Sequence, residues 1–371
     1  MATLKATVER DAAVAAIARV QSVVASRTTI PILQDLLVEV GEGEIRLSGT
    51  DMDMEARAAF PAEVESPGIL TASATRLHDI FRNLPAGGQV SLIQQAAPAR
   101  LTVRCGRSRY QVPTNDPAAF PHLDKGGAGS EAQIEARVLA KMLDKVGPSM
   151  SSDETRYYLC GLYLHVLDGQ LVAVATDGAR LARLVAPCPD GWVDAPGVIL
   201  PRKAVGEIRR ALGDMGGPVD IWTDGRLFRL RTAAVEIITK LIDGSYPDYG
   251  RVIPRDNPWR LECDQTDLAT GLKRVVLVTT DKVRAVRLDL ASGQAVLTAR
   301  DGNGGDAEET LEVEYNGEAQ AIGFNGTLLR EIVGVIGGER VVMELGGAND
   351  PLKILDPADE AATFVIIGLR T

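Results

Sequence analysis

Ile134-Glu135-Ala136-Arg137-Val138-Leu139-Ala140-Lys141-Met142-Leu143-Asp144-Lys145-Val146 opens as an extended run and closes as an amphipathic helix. Leu139, Met142, Leu143 and Val146 share one stripe of a 3.6-residue period, and Arg137, Lys141 and Lys145, spaced by four, share the opposite one. The same strand-then-helix phrase occurs 126 residues earlier at Val8 with Ala13 and Ile17, and 129 residues later at Cys263 with Leu268 and Leu272. A threefold repeat constrains the architecture before any motif is weighed.

Each copy carries a second phrase of the same kind. Gly68-Ile69-Leu70 precedes Leu77, Ile80 and Leu84; Gly197-Val198-Ile199 precedes Val205, Ile208 and Leu212; Ala321-Ile322-Gly323 precedes Leu329, Ile332 and Ile336. Between the helices lie runs of period two, such as 162–166 and 171–175, which predict strands. The chain therefore reads as six half-units of strand, helix and several antiparallel strands, an α+β fold rather than a parallel α/β one. Linker chemistry at Gly126-Gly127-Ala128-Gly129-Ser130 and Ile253-Pro254-Arg255-Asp256-Asn257-Pro258 places domains at 1–130, 131–253 and 254–371.

The 371 residues are 45% apolar and 24% charged, which excludes disordered, collagen-like and disulfide-scaffold classes. The start of the chain has no apolar leader and no stretch approaches 18 uncharged apolar residues, so a cytoplasmic location is expected. Cys105, Cys160, Cys188 and Cys263 are isolated, three of them in apolar strand-like runs, and suggest buried thiols with neither disulfide nor metal nor other cofactor. The formal charge is −10, yet the six helix windows (9–24, 74–84, 136–147, 201–212, 266–278 and 326–336) carry 14 basic against 7 acidic residues. Arg137, Lys141 and Lys145 on one helix, and Arg202, Lys203, Arg209 and Arg210 on its partner, are the densest clusters. Such faces are either solvated or a basic surface for a polyanion, and their recurrence on equivalent elements favours phosphate contacts that are independent of base sequence.

Several blocks give this pattern a family. Arg27-Thr28-Thr29-Ile30-Pro31-Ile32-Leu33, Glu154-Thr155-Arg156-Tyr157-Tyr158-Leu159-Cys160-Gly161, Val174-Ala175-Thr176-Asp177-Gly178-Ala179-Arg180-Leu181-Ala182, Leu200-Pro201-Arg202-Lys203 and Ile242-Asp243-Gly244-Ser245-Tyr246-Pro247-Asp248-Tyr249 occur in the order found in the beta sliding clamps of bacterial replicative DNA polymerases, which the whole chain resembles. The resemblance implies three repeated clamp domains, each of two helices packed on antiparallel sheets, and a homodimer closed head to tail into a ring around double-stranded DNA. It implies as partners the replicative polymerase, other proteins bearing a clamp-binding motif, and an ATP-driven clamp loader. Arg27, Arg76, Arg82, Tyr157, Tyr158, Arg202 and Lys203 match DNA-contacting positions, although the two tyrosines read equally well as half-buried strand residues. A cleft for an extended partner peptide is implied at Leu159, Thr176, Gly178, Arg180, Leu181, Pro247, Val252, Val365, Ile366, Ile367 and Leu369, with Arg370 near its rim. For ring closure, Arg107 and Arg109 are expected to face Asp306, Glu308 and Glu309 of the other subunit, with Leu277 and Val278 packing nearby.

The chain departs from the family at its tail, Ile366-Ile367-Gly368-Leu369-Arg370-Thr371 in place of Met-Pro-Met-Arg-Leu, and at Ala179, where His is usual. An alternative is therefore a diverged clamp with an altered partner set. An enzyme has little support: no G-x-x-x-x-G-K-[ST], G-x-S-x-G or H-E-x-x-H occurs, and His78, His122 and His165 are far apart. Asp51, Asp53 and Glu55 alternate, which suits either a nuclease-like carboxylate face or the solvent face of a strand. Asp301, Asn303 and Glu312 partly match a calcium loop but read better as a Gly-rich hairpin turn.

Overall fold

The computed structural model describes residues 2–25, 27–96, 99–124, 126–279, 284–301, 304–348 and 350–369, and six half-units recur along them. The first is β1 (Ala2–Glu9), α1 (Arg10–Gln21), β2 (Asp35–Gly41), β3 (Glu44–Thr50) and β4 (Met54–Pro61), followed by one extra strand, β5 (Glu63–Ser66). The second is β6 (Gly68–Ser73), α2 (Ala74–Asn83), β7 (Gln89–Ala96), β8 (Ala99–Cys105) and β9 (Ser108–Asn115). The middle copy runs β10 (Ser130–Glu135), α3 (Ala136–Val146), β11 (Gly161–Leu167), β12 (Gln170–Thr176), β13 (Arg180–Pro187), then β14 (Val198–Pro201), α4 (Arg202–Leu212), β15 (Pro218–Thr223), β16 (Leu227–Arg231) and β17 (Glu236–Lys240). The last runs β18 (Trp259–Asp264), α5 (Gln265–Val275), β19 (Ala285–Ala291), β20 (Gln294–Arg300), β21 (Asp306–Tyr315), then β22 (Gln320–Asn325), α6 (Gly326–Gly334), β23 (Arg340–Leu345), β24 (Leu352–Leu355) and β25 (Ala362–Ile366).

Helices start where a side chain can take the orphan amides of the first turn. Glu9 accepts from Asp11 and Ala12, Asp264 from Asp267, and Asn325 from Thr327 and Leu328. The stripe expected on α3 is realised, since Leu139, Met142, Leu143 and Val146 are all buried while Arg137 and Lys141 stay exposed.

Pairing then exchanges strands between half-units. The first strand of each half joins its sister's three: β1 pairs β7, β6 pairs β2, β10 pairs β15, β14 pairs β11, β18 pairs β23 and β22 pairs β19, all antiparallel, while β6 and β18 keep short pairings with β9 and β21 of their own halves. Two compact units result, one of Met1–Arg137, Asp190–Pro196 and Gly206–Leu241, the other of Val138–Pro189, Gly197–Val205 and Ile242–Thr371. Each holds one continuous sheet. The 13-stranded sheet runs β10-β15-β16-β17-β4-β3-β2-β6-β9-β8-β7-β1-β5, and the 12-stranded one β14-β11-β12-β13-β25-β24-β23-β18-β21-β20-β19-β22. The middle copy is shared between the sheets, extending the first copy through β17–β4 and the third through β13–β25.

One tight turn recurs between strands, at Thr50–Asp51–Met52–Asp53–Met54, Thr176–Asp177–Gly178–Ala179–Arg180 and Thr223–Asp224–Gly225–Arg226–Leu227. In each the threonine hydroxyl donates to the carbonyl four residues on (2.8, 2.6 and 2.8 Å) and accepts the amide two residues on (3.0, 3.1 and 3.1 Å). The aspartate Oδ1 accepts the next two amides. The central residue has positive φ, +90° at Gly178 and +84° at Gly225, and Met52 adopts +77° without glycine's freedom.

Three expectations change here. Asp51 and Asp53 lie in that turn rather than on a strand, and Glu55 is fully buried instead of facing solvent, so the alternating carboxylates form neither a nuclease face nor a solvated one. Tyr157 and Tyr158 sit in a 3-10 turn, Glu154–Leu159, not in a strand. Cys105 and Cys263 are buried, whereas Cys160 and Cys188 are only half-buried. At the expected hairpin turn Asp301 N–H donates to Gly305 C=O at 2.9 Å, and Gly302 and Asn303 lie outside the described residues.

Thr223 is fully buried and its hydroxyl serves two backbone groups at once. Thr223→Val is expected to cost about 1–3 kcal/mol by stranding them. Urea unfolding should show a lower midpoint at unchanged slope.

Candidate functional site

Two groups of residues carry the functional expectations, a set of cations on helices and an apolar surface near β13 and β25. In the first unit, Arg27, Arg76 and Arg82 are exposed, the last two on α2 beside buried Leu77 and Phe81. Arg137 is exposed at the first turn of α3. Arg202 and Lys203 occupy the first turn of α4, where the helix dipole disfavours cations. Arg202 donates to the carbonyls of Met150 (2.5 Å) and Ser151 (3.1 Å), which ties the chain before the Tyr157–Tyr158 turn to α4. Tyr157 is 54% exposed and stands edge-on to Tyr158 with ring centroids 5.7 Å apart. At the other end of α4, Arg209 donates to Gly213 C=O at 2.8 Å and Arg210 pairs with Glu207.

Lys145 departs from the expected pattern. Its side chain is only 12% exposed and its ammonium is held by Asp356 Oδ2 (3.0 Å) and Asp359 Oδ2 (2.6 Å), while Lys141 reaches Asp359 Oδ1 at 2.7 Å. Burial pushes both carboxyls up, but the lysine contacts, with the Gly337 and Ala358 amides at Asp356, outweigh it and leave both below the ordinary aspartate range. Lys145 is thus a structural tie between α3 and the loop before β25, not a free phosphate contact, and Lys141 is half engaged in the same tie. The partner aspartates are more than 200 residues away in sequence, so no local pattern reveals them.

The apolar surface lies wholly in the second unit. Val172, Val174, Leu181 and Val365 form a buried cluster, against which Val185, Tyr246, Tyr249 and Ile253 pack half-buried. Leu159 and Ile366 are also buried. Of the expected walls, therefore, Leu159, Leu181, Val365 and Ile366 are floor, while Pro247, Val252 (47% exposed) and Ile367 (42% exposed) present surface and Leu369 is half-buried. Arg370 lies outside the described residues. The tail is strung by its backbone: Ile367 N–H donates to Ala179 C=O at 2.9 Å and Leu369 N–H to Gly323 C=O at 2.7 Å, with Gly368 between.

Arg180 is buried beneath this surface rather than displayed on it. It donates to Pro148 C=O at 2.6 Å and to Asp177 at 3.1 Å, and pairs with Glu331 of α6 at 2.6 Å. Gly178 and Thr176 belong to the recurrent turn, and a Cβ at Gly178 would stand 2.7 Å from the Arg156 guanidinium. Sequence reading missed an aromatic ladder beside them. Tyr246 stacks on Tyr163 (4.8 Å) and Tyr163 on His165 (4.5 Å), and the Tyr249 hydroxyl meets His165 Nε2 at 2.9 Å. Desolvation holds His165 below the usual imidazole range and raises the Tyr246 and Tyr249 phenols, so the ladder is uncharged at neutral pH. The alternation of Tyr163 and His165 on β11 was the available signal.

Among the described residues no group of His, Cys, Asp and Glu has the arrangement of a metal site, and no helix is long and apolar enough to cross a membrane.

Models of three domains match in sequence order: the DNA polymerase III beta subunit N-terminal domain over residues 4–124, its central domain over 133–248 and its C-terminal domain over 250–370. A beta sliding clamp from Caulobacter vibrioides is 38% identical over 371 residues, covering 99% of this chain and 100% of the relative. That of Escherichia coli K12 is 33% identical over 370 residues with the same coverage. Among solved structures, a clamp from C. crescentus superposes with a TM-score of 0.96 at 38% identity, covering 99% of each chain. One from Bartonella birtlesii, solved with griselimycin, gives 0.96 at 34% identity over 99% of this chain and 100% of that one.

Replacing Lys145 by alanine leaves the almost fully buried Asp356 without its cation and Asp359 with Lys141 alone, and is expected to cost about 3 kcal/mol. Lys141, 45% exposed, should cost under about 1 kcal/mol. Because both aspartate pKa values are depressed in the fold, the stabilisation is present above the unfolded aspartate pKa of about 3.9 and is lost as pH falls through the folded values. Thermal melts at pH 7 and pH 3 should show the wild-type advantage over Lys145→Ala narrowing in acid.

Proposed function

The chain belongs to the family of the DNA polymerase III beta subunit, the beta sliding clamps, and on that footing we propose that two copies close head to tail into a ring encircling duplex DNA. The observation that carries this is the six-fold recurrence of one strand-helix-three-strand unit from Ala2 to Ile366, matched end to end by clamps of known structure. Clamp domains at 1–130, 131–253 and 254–371 are the natural division. The ring is a non-catalytic cytoplasmic tether, loaded by an ATP-driven partner, since ring opening needs work that this chain has no motif to supply.

Closure is supported by two unsatisfied strand edges. β9 pairs β8 along its length, but its other edge meets β6 only at Thr114 and Asn115. β21 pairs β20 from Asp306 to Glu312, and its other edge meets β18 only at Val313–Tyr315. The free stretch of β9 carries Arg109, with Arg107 in the preceding turn, and the free stretch of β21 carries Asp306 and Glu308. Pairing β9 of one subunit with β21 of the next joins opposite charges and removes both edges. Glu309 is already shared with Arg274 at 3.3 Å, so it contributes less than its neighbours. Leu277, 79% exposed, and half-buried Val278 supply apolar contact beside the edge.

Within the ring, Arg27, Arg76, Arg82, Arg137, Arg202 and Lys203, with Arg209 and Arg210, meet phosphates, and Tyr157 and Tyr158 lie against the backbone. Pro247, Val252, Ile367 and Leu369 over the Val172–Val365 floor take the apolar anchors of an extended peptide, through which the replicative polymerase and other motif-bearing proteins dock. A second reading, a clamp with a retuned partner set, is favoured by the tail, where Gly368 replaces a stiffening proline between two pinned residues.

Sedimentation is expected to report a dimer at micromolar concentration, and Leu277→Asp combined with Arg109→Glu a folded monomer; a monomeric wild type would remove the ring. Titration with a labelled clamp-binding peptide, a Gln-led segment ending in Leu and Phe, should saturate. Ile367→Glu, exposed and hence harmless to folding, should weaken it at least tenfold, the scale of losing one buried apolar side chain. A dimer indifferent to the peptide would support the retuned clamp.

A further inference from the structure

The two places where one copy's sheet continues into the next are built alike. Across β4–β17, Met54 opposes Thr239, Glu55 opposes Ile238 and Arg57 opposes Glu236; across β13–β25, Arg180 opposes Ile366, Leu181 opposes Val365 and Arg183 opposes Thr363. Both are entered through the same Thr-Asp turn, and both are sealed by the same backbone bond, Lys240 N–H to Asp53 C=O at 2.8 Å and Ile367 N–H to Ala179 C=O at 2.9 Å. A constant offset of 126 residues carries β2, β3 and β4 onto β11, β12 and β13. Under that offset the floor of the apolar surface, Val172, Val174 and Leu181, falls on Arg46, Ser48 and Glu55. Ile367 corresponds in pairing to Lys240, whose ammonium meets Asp53 at 3.1 Å.

A groove of about 690 Å³ lies at the first junction, bounded among others by Arg46, Ser48, Arg57, His122, Leu123 and Glu236. Glu55 beneath it is fully buried and its oxygens are committed to Arg57 (2.8 Å), His122 Nδ1 (3.1 Å) and the Leu123 amide (2.8 Å). That ionic knot also fastens the linker segment that carries Leu123.

We propose that this groove is a second peptide cleft barred by polar and charged lining, with Arg46, Ser48 and the buried Glu55 beneath them as the specificity-determining residues that confine apolar docking peptides to one cleft per chain. The inference rests on the peptide-cleft reading above. An apolar anchor entering the groove must desolvate Arg46 and its Glu44 partner (2.6 Å) and the Ser48 hydroxyl without giving them a new contact, and both oxygens of Glu55 are already engaged. At the second junction the corresponding floor is Val172, Val174 and Leu181, packed under Tyr246 and Tyr249 and carrying no polar side chain. Rejection is thus built into the repeat as polar, charged lining rather than as a closed shape.

The test is calorimetric stoichiometry with the Gln-led peptide on the full-length protein. Wild type is expected to bind one peptide per chain, and Arg46→Val/Ser48→Val, or the same with Glu55→Leu, to bind two, the second more weakly. The unaltered cleft in the same chain reports folding, because a misfolded variant loses the first site as well; the double variant, which spares Glu55, guards against that. Two peptides per wild-type chain, or one per folded chain in both variants at a hundredfold excess over the first Kd, would overturn the proposal. No binding to wild type at all would instead strike the peptide-cleft reading on which it rests.

Discussion

Backbone hydrogen bonding that does not stop at the repeat boundary is the constraint from which the other features follow. A half-unit of one helix and four strands is too small to bury a core of its own, and each half solves this by lending its first strand to its sister. The middle copy carries the principle further, committing β10 and β15–β17 to one sheet and β11–β14 to the other. Cutting the chain at 130 or 254 therefore severs linkers but leaves the β17–β4 and β13–β25 ladders to be broken, which makes each junction as cooperative as a domain interior.

Placing functional surface at such a junction has a mechanical consequence. The residues offered to a partner hang on turns fixed by threonine and aspartate side chains, and on a tail pinned by two amides. Arg180 binds three separate segments from beneath, the Pro148 carbonyl, Asp177 and Glu331. The surface is accordingly preformed, and a peptide docking there as proposed would need to order only itself.

The sequence made the helices and their repeat legible because an apolar stripe of period 3.6 is local: Leu139, Met142, Leu143 and Val146 declare a helix without help from elsewhere. Strand exchange is not local. Runs of period two look alike whichever neighbour they pair with, so nothing in 130–135 distinguishes pairing with β15 from pairing with β11. Glu55 shows the same limit in one residue: alternation put it on a face shared with Asp51 and Asp53, but the burial of that face is decided by His122 and Leu123 arriving 67 and 68 residues later. Lys145 shows the limit again, its ion pairs being with aspartates at the far end of the chain. Met52 hides a positive φ that glycine announces at Gly178 and Gly225.

The cancellation at Lys145 bears on how an acidic protein serves as a clamp on a polyanion. Every phosphate contact adds roughly 0.9 to the salt exponent of binding and raises the barrier to sliding. A ring retained by topology gains nothing from tight binding and loses mobility through it. In the ring proposed above, exposed Arg27, Arg76, Arg82 and Arg137, spread over three parts of the fold, would offer sparse contact, whereas Lys141 and Lys145 of α3 are drawn into a pair of aspartates. On that proposal, spending α3's lysines on holding the fold would keep the surface facing DNA weakly adhesive, which is the condition under which closure rather than affinity sets residence on DNA.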